Sequence, residues 1–333
     1  MAINLILLLI GIVILVVAGD YLVRGAAAFA RKWGVSALIV GLTIVAFGTS
    51  APELVVSIQA VMAGFDTSAL ALGNVVGSNI TNILMVLGFP ALIMAIPTDT
   101  PGVTRNTVFA TFVTVLLIGL LFITGTGNGI ARWQGGILFA GIIIYLIWMF
   151  QLARSGSKDP ALREMAEVDE MDGLPRTAWV SAIFIIAGSI GLAVGGSLIV
   201  DNASDIAKYF DISETIIGLT LVAIGTSLPE LATVVVAAYR GHTEVAIGNV
   251  VGSNIFNILA VLGAASLVGP IKISEGILSI DVWVMLAAII TLLVLIIAGK
   301  PIGRKIGAFL SIAYIAYIGL LAYRMMTEAS VPL

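Results

Sequence analysis

Two glutamates stand where a carboxylate is hardest to accommodate. Glu53 lies in GLTIVAFGTSAPEL (41–54) and Glu230 in GLTLVAIGTSLPEL (218–231), each inside an apolar run long enough to cross a bilayer. On insertion scales a carboxylate at the middle of a membrane helix costs about 3 kcal/mol unless it meets a cavity or a partner. Neither stretch offers Lys, Arg or His at comparable depth, so a bound cation is the obvious source of neutralising charge. Helical spacing sets Thr49 and Ser50 beside Glu53, and Thr226 and Ser227 beside Glu230. In the next apolar runs Ser78 and Asn82 are four apart, as are Ser253 and Asn257. Pro52 and Pro229 cannot donate to the carbonyls four residues earlier, which frees those of Gly48 and Gly225. The donors are thus carboxylates, hydroxyls, amides and carbonyls, a hard-oxygen set suited to Ca²⁺ or Na⁺ rather than to zinc or copper. Two glutamates carry −2, which one Ca²⁺ or two Na⁺ balance. Such a site can exchange one load for the other.

The elements that must position these groups are membrane helices. Of 333 residues, 60% are hydrophobic and 11% charged, against about a quarter charged in soluble domains. The chain reads as an all-α integral membrane protein. Apolar runs at 3–30, 36–62, 68–95, 106–124, 131–153, 177–207, 213–239, 244–269, 278–298 and 303–324 predict ten transmembrane helices. The first lacks a charged leading segment and reads as a span rather than a cleaved signal. A polar, acidic stretch at 154–176 divides an N-terminal half (1–153) from a C-terminal half (177–333). Its Glu164, Glu167, Asp169, Glu170 and Asp172 lack the spacing of a Ca²⁺ loop and read as a solubilising run. Twelve of the sixteen Lys and Arg fall in the odd-numbered connections. That bias predicts both termini outside and the linker in the cytoplasm, in a plasma (inner) membrane. No basic stripe suggests nucleic acid, and with no cysteine there is no disulfide or thiolate site.

The two glutamate stretches belong to a longer repeat. GLTIVAFGTSAPEL returns 177 residues later, and LGNVVGSNITNILMVLG (72–88) returns as IGNVVGSNIFNILAVLG (247–263), 175 residues later. Each half carries one two-span cassette, at about 36–95 and 213–269. Five spans per half is an odd number, so the second half enters from the opposite side and the halves are inverted repeats. Inverted repeats with broken helices in matching places are the pattern of secondary transporters that bind their load near the midplane.

GTSAPEL…GNVVGSNITNI and GTSLPEL…GNVVGSNIFNI resemble the two alpha-repeats of the calcium/cation antiporter superfamily, in its Na⁺/Ca²⁺ exchanger branch. The length, ten spans and acidic linker are similar to its compact prokaryotic members over nearly the whole chain. The resemblance implies that spans two, three, seven and eight form a four-helix ion-binding core, past which the long first and sixth helices slide in alternating access. It implies Glu53, Asn82, Glu230 and Asn257 as the central ligands. Thr49, Ser50 and Ser78, with Thr226, Ser227 and Ser253, would line flanking sodium sites, joined by the carbonyls of Ala46 and Ala223. It further implies three Na⁺ per Ca²⁺, hence electrogenic exchange, where charge counting alone favours two. Potassium-dependent relatives carry aspartate where this chain has Asn257, so the matched Asn82 and Asn257 argue against K⁺ co-transport.

The expected function is therefore a Na⁺/Ca²⁺ antiporter, not an enzyme, whose partners are the two ions and the bilayer, with no cofactor and no obligate protein partner. A proton/Ca²⁺ antiporter is the alternative, although that branch shows GNxxE where this chain has GNVVG twice. A cation channel is more remote, because channel filters usually ring one axis with several subunits. Among the lesser polar residues, Asn74, Asn79, Asn249 and Asn254 stand behind the ligands or glue helices together. Asp20 in the first span has no assigned role, and His242 in RGHTE reads as a solvated turn residue.

Overall fold

The computed structural model describes residues 2–125, 129–155, 175, 177–210 and 223–328. The acidic linker carboxylates and residues 213–222 of the second cassette lie outside these. Apolar sequence with no proline inside it gives the longest helices, α1 (Ala2–Trp33) and α7 (Ala178–Tyr209), of 32 residues each. At 1.5 Å per residue each is about 48 Å long, well beyond a hydrocarbon core of about 30 Å. They pack against each other along their length, and glycine lets the backbones approach: a Cβ on Gly188 would lie 2.6 Å from the Leu22 nitrogen.

Where the sequence breaks, so does the helix. The second span is two helices, α2 (Ala37–Thr49) and α3 (Ala51–Met62), bent by 44° at Ser50. The seventh shows the same break at Ser227, between α8 (Ala223–Thr226) and α9 (Leu228–Tyr239). The prolines therefore do not kink continuous helices. They occupy the first turn of a new helix, where a missing N–H costs nothing. The continuous partners are α4 (Phe65–Ala91) and α10 (Thr243–Val268). Around them stand α5 (Val103–Thr124), α6 (Arg132–Ser155), α11 (Ile277–Ile297) and α12 (Arg304–Glu328). Among the described residues, eight helices are long and apolar enough to cross a bilayer, and the bent α2–α3 pair makes nine. The tenth expected span is the one whose first half lies outside the description.

Burial separates core from periphery. In their most apolar windows α10 is 94% buried and α4 78%, against 33% for α1 and 22% for α6 and α7. The peripheral helices present Ile, Leu, Val and Phe outward, as a lipid-facing surface must. Two short backbone pairings tie the halves together. One is antiparallel, between β1 (Gly129–Ile130) and β2 (Ile271–Lys272), joining the fourth and eighth connections. The other is a bridge between Ile96 and Ile302, joining the third and ninth. Inverting the halves maps the first pairing onto the second, one for each end of the bundle.

Candidate functional site

The site forms where the two helix breaks meet α4 and α10. Because α2 ends at Thr49 and α3 starts at Ala51, Ser50 adopts a non-helical conformation (φ −86°, ψ 5°), and Ser227 does likewise (φ −93°, ψ 3°). Helix ends leave backbone groups without intrahelical partners, so each break brings polar backbone to membrane depth beside its glutamate. The Ala46 carbonyl accepts from the Ser50 backbone N–H at 3.0 Å, and Thr49 Oγ1 lies 3.3 Å from it. Ala223 opens α8, directly after the undescribed stretch.

Glu53, Glu230, Asn82, Asn257, Thr49, Ser50, Ser78, Ser227 and Ser253 are all buried, and Thr226 is half-buried. Glu230 Oε1 accepts from Ser50 Oγ and from Ser253 Oγ, both at 3.3 Å. Ser50 comes from the N-terminal cassette and Glu230 from the C-terminal one, so residues 180 apart in sequence share one cage. Thr49 Oγ1 joins this side, donating to Asn249 Oδ1 at 3.1 Å and lying 3.3 Å from Ser253 Oγ. On the other side Asn74 Nδ2 donates to the Glu53 carbonyl at 3.4 Å and to Ser57 Oγ at 3.2 Å. Both carboxylate oxygens of Glu53, Glu230 Oε2, Ser78 Oγ, Ser227 Oγ and the Oδ1 atoms of Asn82 and Asn257 are buried with no hydrogen-bond partner among the described residues. Seven buried oxygens left bare is a heavy penalty in a water-poor interior, and one that cations at these atoms would remove.

The donor set is not the carboxylate- and histidine-rich cluster of most metal centres. Among the described residues no group of three or more His, Cys, Asp or Glu converges. Two carboxylates with amide and hydroxyl oxygens are a donor set that can take a hard cation without overwhelming its charge.

The family model described as "Sodium/calcium exchanger protein" matches residues 3–151 and 180–323. The chain belongs to the sodium/calcium exchanger family. The inner membrane protein YrbG of Escherichia coli is 36% identical over 95% of this chain and 95% of its own. The sodium/calcium exchanger MaX1 of Methanosarcina acetivorans is 32% identical, covering 96% of this chain and 99% of its own. Among solved structures, the sodium-calcium exchanger NCX_Mj soaked with zero Na⁺ and Ca²⁺ superposes with a TM-score of 0.79 at 31% identity, over 96% of this chain and 99% of that one. Such likeness over full length bears out the family resemblance and the ten-helix fold.

One polar residue departs from its sequence expectation, and others gain partners there was no reading for. His242 is not a solvated turn residue: it is buried and stands directly before α10. Burial, with the Arg240 charge adding to it, holds its imidazole below the ordinary range. Asp20 gains partners: Arg240 at the end of α9 donates to it, and Arg24 lies one turn along α1 at 3.4 Å. An ion pair thus joins α1 to the core. Gly248 and Gly252 serve close packing, since a Cβ on Gly252 would lie 2.6 Å from the Leu42 carbonyl. One buried carboxylate went unremarked in sequence: Asp281 accepts from Tyr317 Oη at 3.2 Å, as Asn106 accepts from Tyr145 Oη at 3.3 Å. The offset of 175 residues between Asn106 and Asp281, the same as in the second motif, is the signal that would have found it.

Proposed function

We propose that this protein exchanges Na⁺ for Ca²⁺ across the inner membrane by alternating access, with both ions held in turn by the Glu53–Glu230 cage. The observation that carries this reading is the set of bare buried oxygens around the two carboxylates. Glu53, Glu230, Asn82 and Asn257 supply the central ligands. The hydroxyls of Thr49, Ser50, Ser78, Thr226, Ser227 and Ser253, with the Ala46 and Ala223 carbonyls, complete the flanking sites. Loading by either ion neutralises the paired carboxylates, whereas the empty site keeps charge in low dielectric and resists rearrangement. That coupling of occupancy to movement is what makes an antiporter rather than a leak. All these ligands come from one chain, so the cage needs no second subunit. The names of MaX1 and NCX_Mj support Na⁺ and Ca²⁺ as the loads, and that of YrbG supports the inner membrane.

Three finer points belong to the same reading. Exchange is electrogenic, because three Na⁺ carry one charge more than one Ca²⁺. It is independent of K⁺, because position 257 is an asparagine. Both termini face outward and the linker faces the cytoplasm.

The test is ⁴⁵Ca²⁺ uptake into Na⁺-loaded proteoliposomes diluted into Na⁺-free medium, with K⁺-loaded vesicles and an imposed pH gradient as controls. Uptake should require internal Na⁺, respond to an imposed membrane potential, and fall at least a hundredfold in Glu53→Gln and in Glu230→Gln. Uptake driven by a pH gradient without Na⁺ would replace sodium by protons as the coupling ion.

A further inference from the structure

We propose that Asn79 and Asn254 are positioning residues that fix which end of the Asn257 and Asn82 amides faces the ions. The inference rests on the reading of Asn82 and Asn257 as ligands. An amide has two ends of nearly equal shape and opposite polarity, and only the oxygen end can bind a cation. Something must hold it the right way round.

The four asparagines form a closed set where α4 meets α10. Asn79 Nδ2 donates to the Asn254 backbone carbonyl at 3.2 Å, and Asn254 Nδ2 donates to the Asn79 backbone carbonyl at 3.3 Å. A backbone carbonyl only accepts, so these two contacts determine both side-chain orientations without ambiguity. The Oδ1 atoms of Asn79 and Asn254 must then point the other way. There they accept from Asn257 Nδ2 at 3.0 Å and from Asn82 Nδ2 at 3.1 Å. With their NH₂ groups engaged, Asn82 and Asn257 turn their Oδ1 atoms away, and both oxygens are buried with no partner among the described residues. Turning any one amide over would set oxygen against oxygen or N–H against N–H. Each half of the molecule thereby orients the ligand of the other. The spacing permits it, because 79 and 82, like 254 and 257, share a helix face.

A double-substitution cycle separates this role from helix-to-helix glue. Half-saturating Ca²⁺ is measured by ⁴⁵Ca²⁺ exchange in proteoliposomes for Asn79→Ala, Asn257→Asp, the double variant and Asn257→Ala. A carboxylate has two equivalent oxygens and needs no orienting; with Asn79 present, one of them faces the Asn79 Oδ1 unfavourably. Asn79→Ala should therefore raise half-saturating Ca²⁺ about tenfold or more when residue 257 is asparagine, and lower it in the Asn257→Asp background. Equal losses in both backgrounds would make Asn79 a packing residue and overturn the inference. If Asn257→Ala raises half-saturation and Asn79→Ala does not, the inference falls while the ligand reading stands. If Asn257→Ala changes nothing, the ligand reading itself fails and takes the inference with it. Should Asn79→Ala not fold, the mirror set of Asn254→Ala with Asn82→Asp runs the same cycle.

Discussion

The two cassettes share GTS, PEL and GNVVGSN, yet their glutamates are held differently. Ser50 and Ser253 clamp Glu230 from opposite halves of the chain. The repeat makes Ser227 and Ser78 the corresponding pair for Glu53, but neither hydroxyl has a partner among the described residues, and neither carboxylate oxygen of Glu53 does. One clamp is closed and its mirror image is open. A symmetric sequence thus folds into an asymmetric site. The side at Glu53 carries the greater unmet demand for a cation.

The largest effect expected from this difference is on the ion-free protein. Glu53→Gln removes a buried carboxylate with no side-chain partner. It should raise the melting temperature in buffer free of Na⁺ and Ca²⁺, because an amide carries no charge into the low-dielectric interior. Glu230→Gln gives up hydrogen bonds to two hydroxyls and should gain clearly less. Melting curves of the two variants side by side decide it, and an equal gain would break the comparison.

The serines sharpen it. Ser50→Ala and Ser253→Ala each remove a hydrogen bond to a charged group, worth about 1.5–3 kcal/mol, and should lower ion-free melting temperature. Ser227→Ala and Ser78→Ala remove hydroxyls with no partner among the described residues, so ion-free stability should not fall. Their loss should appear instead as a weaker stabilisation by added Ca²⁺ or Na⁺ in the same melts. If all four behave alike, the open and closed clamps are not distinct.

The smallest effect lies outside the cage, at a position with no counterpart charge in the first half. His242 is buried next to Arg240 and its folded-state proton affinity is depressed from the ordinary value of 6.5. As pH falls through that value the unfolded chain binds the proton first, so stability falls on acidification until the folded imidazole also titrates. His242→Gln should flatten the decline in melting temperature between about pH 8 and pH 5, by a fraction of about 1 kcal/mol. An unchanged slope would assign the acid sensitivity to other groups.

Much of this was legible in the residues. An intramembrane glutamate beside hydroxyls and amides, twice over at a fixed offset, announces an oxygen cage, because charge in lipid is too costly to keep without a use. The parity of five spans gives the inversion. Asp20, by contrast, had no reading until α9 delivered Arg240 to it from 220 residues away, and no local pattern encodes that meeting. The turn containing His242 looked polar in sequence, but its burial depends on what packs over it. Asn79 and Asn254 were visible as polar residues near the ligands; their task was not, since amide orientation depends on which carbonyl of another helix lies opposite.

The sequence alone determined the lipid environment, the polar interruptions beside Glu53 and Glu230, the oxygen character of the donors and the pairing of the two cassettes. These follow from hydrophobicity, from proline and from donor chemistry, which act locally or by simple repetition. Only the tertiary structure decided that Glu230 is clamped while Glu53 is bare, and that the Asn82 and Asn257 oxygens are buried without a partner among the described residues. Those outcomes depend on distances between helices far apart in the chain. A hydrogen bond weakens steeply beyond about 3.5 Å, so shifts of an ångström between identical motifs are enough to make one clamp and leave the other open.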